Sequence, residues 1–207
     1  MKVHCIPTGY FGTNTYLVSG TYENAEYSFL VDPAGNTEEL KKLLPSKLDA
    51  IILTHGHFDH VAFLPFFAAQ YPEAKVYIHP EDSFYIEENA WQFHVEDFLE
   101  IGFAAWVENV ENQGYGFPSC HEDLIQNQNL FGWEVIHTPG HTPGSVCLYN
   151  EKEQTLLSGD TLFNGGIGRT DLRGGSIIEM YKSLEKLRKL PVNTKVYPGH
   201  EDSFVME

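Results

Sequence analysis

Three histidines and an aspartate fall within the seven residues THGHFDH, 54 to 60, directly after the apolar run AIIL at 50 to 53. Imidazole nitrogens and carboxylate oxygens at that density are donors for a divalent metal, and a β-branched run entering a polar turn marks the mouth of a buried strand. Three later stretches repeat the arrangement. HTPGH (137–141), SGD (158–160) and YPGH (197–200) each set a histidine or aspartate at the end of an apolar strand, beside a glycine that permits an unusual turn. Donors at the ends of several strands of one sheet converge on one edge of the core. His55 and His57, two apart in an extended turn, can face one ion, and Asp59 and His60, where the chain turns into a helix, a second. His141 completes the first set, His200 the second, and Asp160 can bridge both with its two oxygens. The chemistry expected is a two-metal site with a shared hydroxide, zinc foremost and iron or manganese as alternatives. Zinc lowers the pKa of bound water to about 7, so the nucleophile needs no separate general base. Asp59 and Asp160 are then the catalytic carboxylates, holding the metals and accepting a proton; no residue set reads as a Ser-His-Asp triad.

These donors need a sheet to carry them. NTYLVSG (14–20), YSFLVD (27–32), DAIILT (49–54) and KVYIHP (75–80) read as strands, as do FGWEVIHTPG (131–140), SVCLYN (145–150), TLLSGD (155–160) and TKVYPGH (194–200). NTEELKKLL (36–44) has N-cap residues, early glutamates and spaced leucines, and predicts a short helix ending before Pro45. DHVAFLPFFAAQYP (59–72) predicts a helix interrupted near Pro65, and the aromatic, acidic segment 81–120 shows roughly helical spacing closed by a GYGFP turn. SIIEMYKSLEKLRKLP (176–191) is the plainest helix, with a capping box of Ser176 and Glu179 and with Ile177, Met180, Tyr181, Leu184 and Leu187 on one face. Groups of strands with helices between them predict an α/β (α+β) fold of four layers, mixed sheets face to face with helices outside. With no repeat and no separating linker, residues 1–207 are expected to form a single domain.

The formal net charge of -16 disfavours nucleic acid and anionic lipid as partners, leaving a small-molecule substrate. Any anionic substrate then needs a local positive centre, which bound cations supply. Cys5, Cys120 and Cys147 form no CxxC pair and are expected to be reduced thiols. No apolar stretch near Met1 suits an export signal, and no run approaches membrane-spanning length, so the expected setting is the cytoplasm.

Taken together, these residues resemble the metallo-β-lactamase fold superfamily, whose HxHxDH hallmark stands here as His55, His57, Asp59 and His60. Its later hallmark ligands fall on His141, Asp160 and His200, and the resemblance spans nearly the whole chain. It implies an αββα sandwich with the metals at one edge between the sheets. Within the superfamily, GDTLFNGGIGRTDL (159–172) is similar to the glyoxalase II-like hydrolases, especially the short bacterial forms, and to the related persulfide dioxygenases. The resemblance implies hydrolysis of a thioester such as an S-acylglutathione, with Arg169 holding the thiol cofactor's carboxylate. Full-length glyoxalase II adds a C-terminal helical region that supplies much of the glutathione site, whereas this sequence ends with EDSFVME after His200. YPGHEDS also lacks the glycine that often follows this histidine in relatives. The reading from another reaction class is a persulfide dioxygenase with one iron; a lactonase of the same fold is a third.

Other candidates have plainer explanations. Arg169 is equally placed to pair with Asp171. His137, four before His141, is not a ligand in the superfamily pattern and is expected to support the site or pack on its strand. His79 is expected to hydrogen-bond the backbone, Asn14 to sit in a turn, and the aromatic residues between Phe84 and Phe117 to pack in the core.

Overall fold

The computed structural model describes residues 1–9, 11–114, 116–118 and 121–207. In the N-terminal half, β1 (Lys2–Thr8), β2 (Thr13–Tyr22) and β3 (Ala25–Val31) form an antiparallel meander. The chain crosses through α1 (Glu38–Leu43) to β4 (Ala50–Ile52), then through α2 (Phe58–Val61) and α3 (Leu64–Gln70) to β5 (Lys75–Ile78), each new strand parallel to the last. A 3-10 helix (Pro80–Tyr85), α4 (Ala90–Glu100) and α5 (Ala104–Glu111) precede β6 (Glu122–Asp123). The second sheet begins with β7 (Asn129–Leu130), β8 (Trp133–His137), β9 (Val146–Asn150) and β10 (Thr155–Gly159). A small hairpin, β11 (Leu162–Phe163) and β12 (Gly166–Ile167), and α6 (Ile177–Leu187) lead to β13 (Lys195–Pro198) and β14 (Phe204–Val205). The strand orders are β1-β2-β3-β4-β5-β6 and β14-β13-β10-β9-β8-β7, and both sheets are mixed.

Alternation along the strands separates the layers. On β2, Tyr16 and Val18 point between the sheets, where they join Phe29, Ile52, Trp133, Val146 and Leu157, while Leu17 joins Leu40, Val61, Leu64 and Phe67 beneath α1 to α3. On the second sheet Cys147 and Leu156 turn outward to meet Leu187 of α6. The result is the αββα order read from the sequence. Trp133 is fully buried, its ring edge-on to Phe29 at 5.9 Å. Trp133→Ala is expected to cost about 3–5 kcal/mol in urea unfolding; a loss under about 1 kcal/mol would show that this layer repacks.

Several expectations need correction. KVHCIPT was not foreseen as a strand, yet β1 pairs with β2 from Lys2↔Ser19 to Thr8↔Thr13. Asn14 lies within β2 rather than in a turn. The capping box of α6 is half formed: Ser176 Oγ accepts from Glu179 N at 3.3 Å, but Ser176 N donates to Gly140 O at 2.8 Å. The buried face of that helix is Met180, Ser183 and Leu187, leaving Ile177 44% and Tyr181 61% exposed. Ser183 Oγ donates to Pro139 O at 2.7 Å, which turns the helix so that Met180 packs against Gly140. A Cβ on Gly140, whose φ is +147, would lie 2.6 Å from that of Met180. The interruption near Pro65 is observed, Pro65 standing in the first turn of α3. Cys5 and Cys147 are free thiols; Cys120 and part of the GYGFP turn lie outside the described residues.

Candidate metal centre

Four strand ends and the short helix α2 meet at one edge of the sandwich. His55 and His57 follow β4, Asp59 and His60 lie in α2, His141 lies between β8 and β9, Asp160 follows β10 and His200 follows β13. Thr54 O accepts from Val146 N at 2.8 Å, tying the two sheets together beside the site. All seven residues expected as metal ligands come together. His55, His57 and His141 form one group and Asp59, His60 and His200 another, with candidate ligand atoms within 4.8 Å of one another in each. Asp160 joins the groups: its Oδ2 is 3.6 Å from His141 Nε2 and 3.4 Å from His200 Nε2.

The donors suit divalent cations. His55 Nε2 and Asp160 Oδ1 are buried and make no hydrogen bond, although the remaining atoms of the cluster are closely paired. His57 Nδ1 and His141 Nε2 stand 2.8 Å apart. His141 Nδ1 donates to Arg169 O at 2.8 Å, so its Nε2 carries the lone pair that faces the cluster. Gly199 leaves the space that Asp160 needs, since a Cβ there would lie 2.0 Å from Asp160 Oδ1. Nothing about the donor set argues against two ions.

Electrostatics divides the cluster. Burial and the neighbouring histidines push His55 well below the usual imidazole range, and burial with His141 pushes His57 to about 3, so both rings are neutral. Burial opposes ionisation of Asp59 and Asp160, but His60 and His200 outweigh it, holding Asp59 at about 2 and Asp160 well below the carboxylate range. Burial likewise opposes the charge on His60 and His200; the carboxylates outweigh it, lifting His60 well above its ordinary value and His200 to about 9. Zinc loading of metal-free protein at neutral pH is therefore expected to expel protons, because ligation needs neutral imidazole. The release is read from binding heats in buffers of different ionisation enthalpy, and the share that comes from His200 should fade as pH rises past about 9. Heats independent of the buffer at neutral pH would contradict this.

Other side chains hold the ligands in place. Asp32, fully buried at the end of β3, accepts from Thr54 N at 2.8 Å and Thr54 Oγ1 at 2.6 Å and takes His60 Nδ1 at 2.9 Å. Asp82, also fully buried, accepts from Gly56 N at 2.8 Å, Thr142 Oγ1 at 2.7 Å and Gly144 N at 2.7 Å, clamping the His57 loop to the His141 loop. Asn14 Nδ2 donates to Pro198 O at 3.0 Å and Glu201 O at 2.8 Å, and Tyr16 OH to Pro198 O at 2.6 Å, fixing the turn that carries His200. Neither Asp32 nor Asp82 was singled out from the sequence. Their signal was an acid closing a strand in FLVDP and an acid after IHP. His137 and His79 lie outside the cluster, their rings stacked at 3.9 Å, with His137 Nε2 on Pro143 O at 2.8 Å and His79 Nδ1 accepting from Glu81 N at 3.2 Å.

Of the candidate ligands, His57, Asp59, His141, Asp160 and His200 line a cleft of about 690 Å³, together with Phe11, Phe98, Arg169, Asp171 and Arg173. Arg169 lines this cleft, and its guanidinium pairs with Asp171 through bonds of 2.7 Å and 2.8 Å. A larger groove of about 1060 Å³ at the far end of the sheets contains none of the seven ligands. No helix among the described residues is long and apolar enough to cross a membrane.

An αββα sandwich with a two-group histidine and aspartate cluster at the sheet edge defines a metal-binding, hydrolase-like class of enzyme. A family model of the metallo-beta-lactamase superfamily matches residues 8–200, and the chain belongs to that superfamily. The probable metallo-hydrolase YqgX of Bacillus subtilis (strain 168) is 31% identical over 209 residues, covering 97% of this chain and 90% of its own. A hydroxyacylglutathione hydrolase of Francisella tularensis subsp. novicida (strain U112) is 30% identical over 179 residues, 84% of this chain and 59% of that protein. The solved structure of TTHA1623 in a di-iron-bound form superimposes with a TM-score of 0.76 at 32% identity, covering 98% of this chain and 94% of that one.

Proposed function

We propose that the protein is a dinuclear metal-dependent hydrolase of thioesters, such as an S-acylglutathione. The observation that carries this is Asp160, whose Oδ2 lies between two complete ligand groups at the floor of an open cleft. Two cations held there, zinc foremost and iron next, would supply an activated water at neutral pH and polarise the scissile carbonyl. His55, His57 and His141 would hold one and Asp59, His60 and His200 the other. Asp59 and Asp160 both line the cleft, where a carboxylate oxygen of either would be placed to accept a proton from the attacking water. Thr13 Oγ1 donates to Asp59 Oδ2 at 3.2 Å and keeps that carboxylate turned inward. Arg169 binds a carboxylate of the thiol carrier by exchanging it for Asp171. Likeness to the hydroxyacylglutathione hydrolase supports the thioester reading, and a small molecule in the cytoplasm is the partner and setting that go with it.

The test is metal analysis of purified protein alongside hydrolysis of S-D-lactoylglutathione and a thioester panel. Two metals per chain with thioester turnover is the expected result. One iron per chain, with oxygen uptake on glutathione persulfide and no hydrolysis, would replace this reading with the dioxygenase. Arg169→Ala is expected to raise KM several-fold with kcat little changed; an unchanged KM would leave Arg169 the structural pair with Asp171.

A further inference from the structure

The wall of the cleft facing the ligands is apolar. Phe11 from the β1–β2 loop, Phe98 from α4, Ile101 and Phe103 from the turn before α5, and Leu172 from the loop after β12 line the same space as His57, Asp59, His141, Asp160 and His200. This wall is built rather than incidental. Phe11 packs edge-on against Phe103 at 4.9 Å and Trp106 at 5.6 Å, and α4 and α5 together seat Phe58, which is fully buried between the ligands His57 and Asp59. Phe11 nevertheless stays 39% exposed at the cleft, leaving apolar area for a ligand to cover. The cations of the rim are already matched. Arg169 holds Asp171 through two bonds, and Arg173 donates from Nε to Asp97 at 2.7 Å and from Nη2 to Glu96 at 3.3 Å.

Apart from the metal centre and Arg169, which the hydrolase reading assigns to a carboxylate of the thiol carrier, the cleft offers this apolar surface and the paired charge of Arg173. We infer that the substrate carries an aliphatic or aromatic group on one flank of the scissile bond, and that the wall of Phe11, Phe98, Ile101, Phe103 and Leu172 selects it. The inference rests on the hydrolase reading above and narrows its substrate class. Each methylene buried against such a wall is worth about fourfold in kcat/KM, and an aromatic group gains further from ring packing.

The experiment uses the metal-loaded protein with two thioester series: acetyl, butyryl, hexanoyl and phenylacetyl groups on one thiol, and one acyl group on thiols of rising alkyl length. A rise in kcat/KM of about fourfold per methylene in either series, flattened in Phe11→Ala and in Leu172→Ala, supports the inference and assigns the flank. Flat or falling profiles in both series overturn it. If no thioester is turned over, the thioester reading fails by itself, and the inference is decided by binding of acetate, butyrate and hexanoate to the same protein. Affinity rising with chain length supports it, and equal affinity overturns it.

Discussion

Asp160→Ala is expected to fold, to purify with less metal and to hydrolyse thioesters at least about 10²–10³-fold more slowly. Asp160 Oδ2 faces both candidate ligand groups, 3.6 Å from His141 Nε2 and 3.4 Å from His200 Nε2, and its Oδ1 lies 3.4 Å from His60 Nε2. What is lost is the anion among His60, His141 and His200. Without it those rings face one another with Asp59 and, behind His60, Asp32 to balance them, and holding two cations at close range becomes costly. Elemental analysis and kcat/KM on the same preparation provide the check. Near-normal turnover with two metals retained would remove Asp160 from the mechanism and with it the bridged-pair proposal.

Asp82→Ala is expected to be the more damaging change for the fold. Three buried donors, two backbone N–H groups and the Thr142 hydroxyl, lose their acceptor at once, at a cost of roughly 3 kcal/mol or more. Metal affinity should fall about 10–100-fold, because the two loops presenting His57 and His141 are no longer fastened together. Asparagine is a poor rescue, since its NH₂ group must face at least one donor. Glutamate has no room, because Asp82 is fully buried and already contacts the space over Gly144. Urea unfolding and metal titration of Asp82→Ala and Asp82→Asn measure both effects. Wild-type metal affinity in a stably folded alanine variant would show that the loops hold their geometry alone.

The contrast between these two aspartates shows what could be read in advance. Asp160 was legible because ligands are drawn from few residue types and each sits where an apolar strand ends beside glycine, a pattern that survives in one dimension. Asp82 and Asp32 answer to backbone N–H groups and a threonine hydroxyl from distant loops, and a backbone donor leaves no mark in the residue sequence. The layered fold was legible for the same reason as the ligands, since alternation and helical spacing are local. The facing of α6 was not, because it is decided by the hydrogen bond of Ser183 to Pro139 rather than by the sum of its apolar residues. Nor was β1, a strand created by its pairing with β2 more than by its own composition.

Phe58 stands between the candidate ligands His57 and Asp59, and its ring is gripped by Trp106 at 4.9 Å, His94 at 5.0 Å and Phe98 at 5.6 Å. The apolar wall of the cleft and the turn that carries His57 and Asp59 thus share one packed support. Anyone seeking to reshape the helical pair for a bulkier guest must preserve the seat of that phenyl ring, or the redesign will disturb His57 and Asp59 before it reaches the guest.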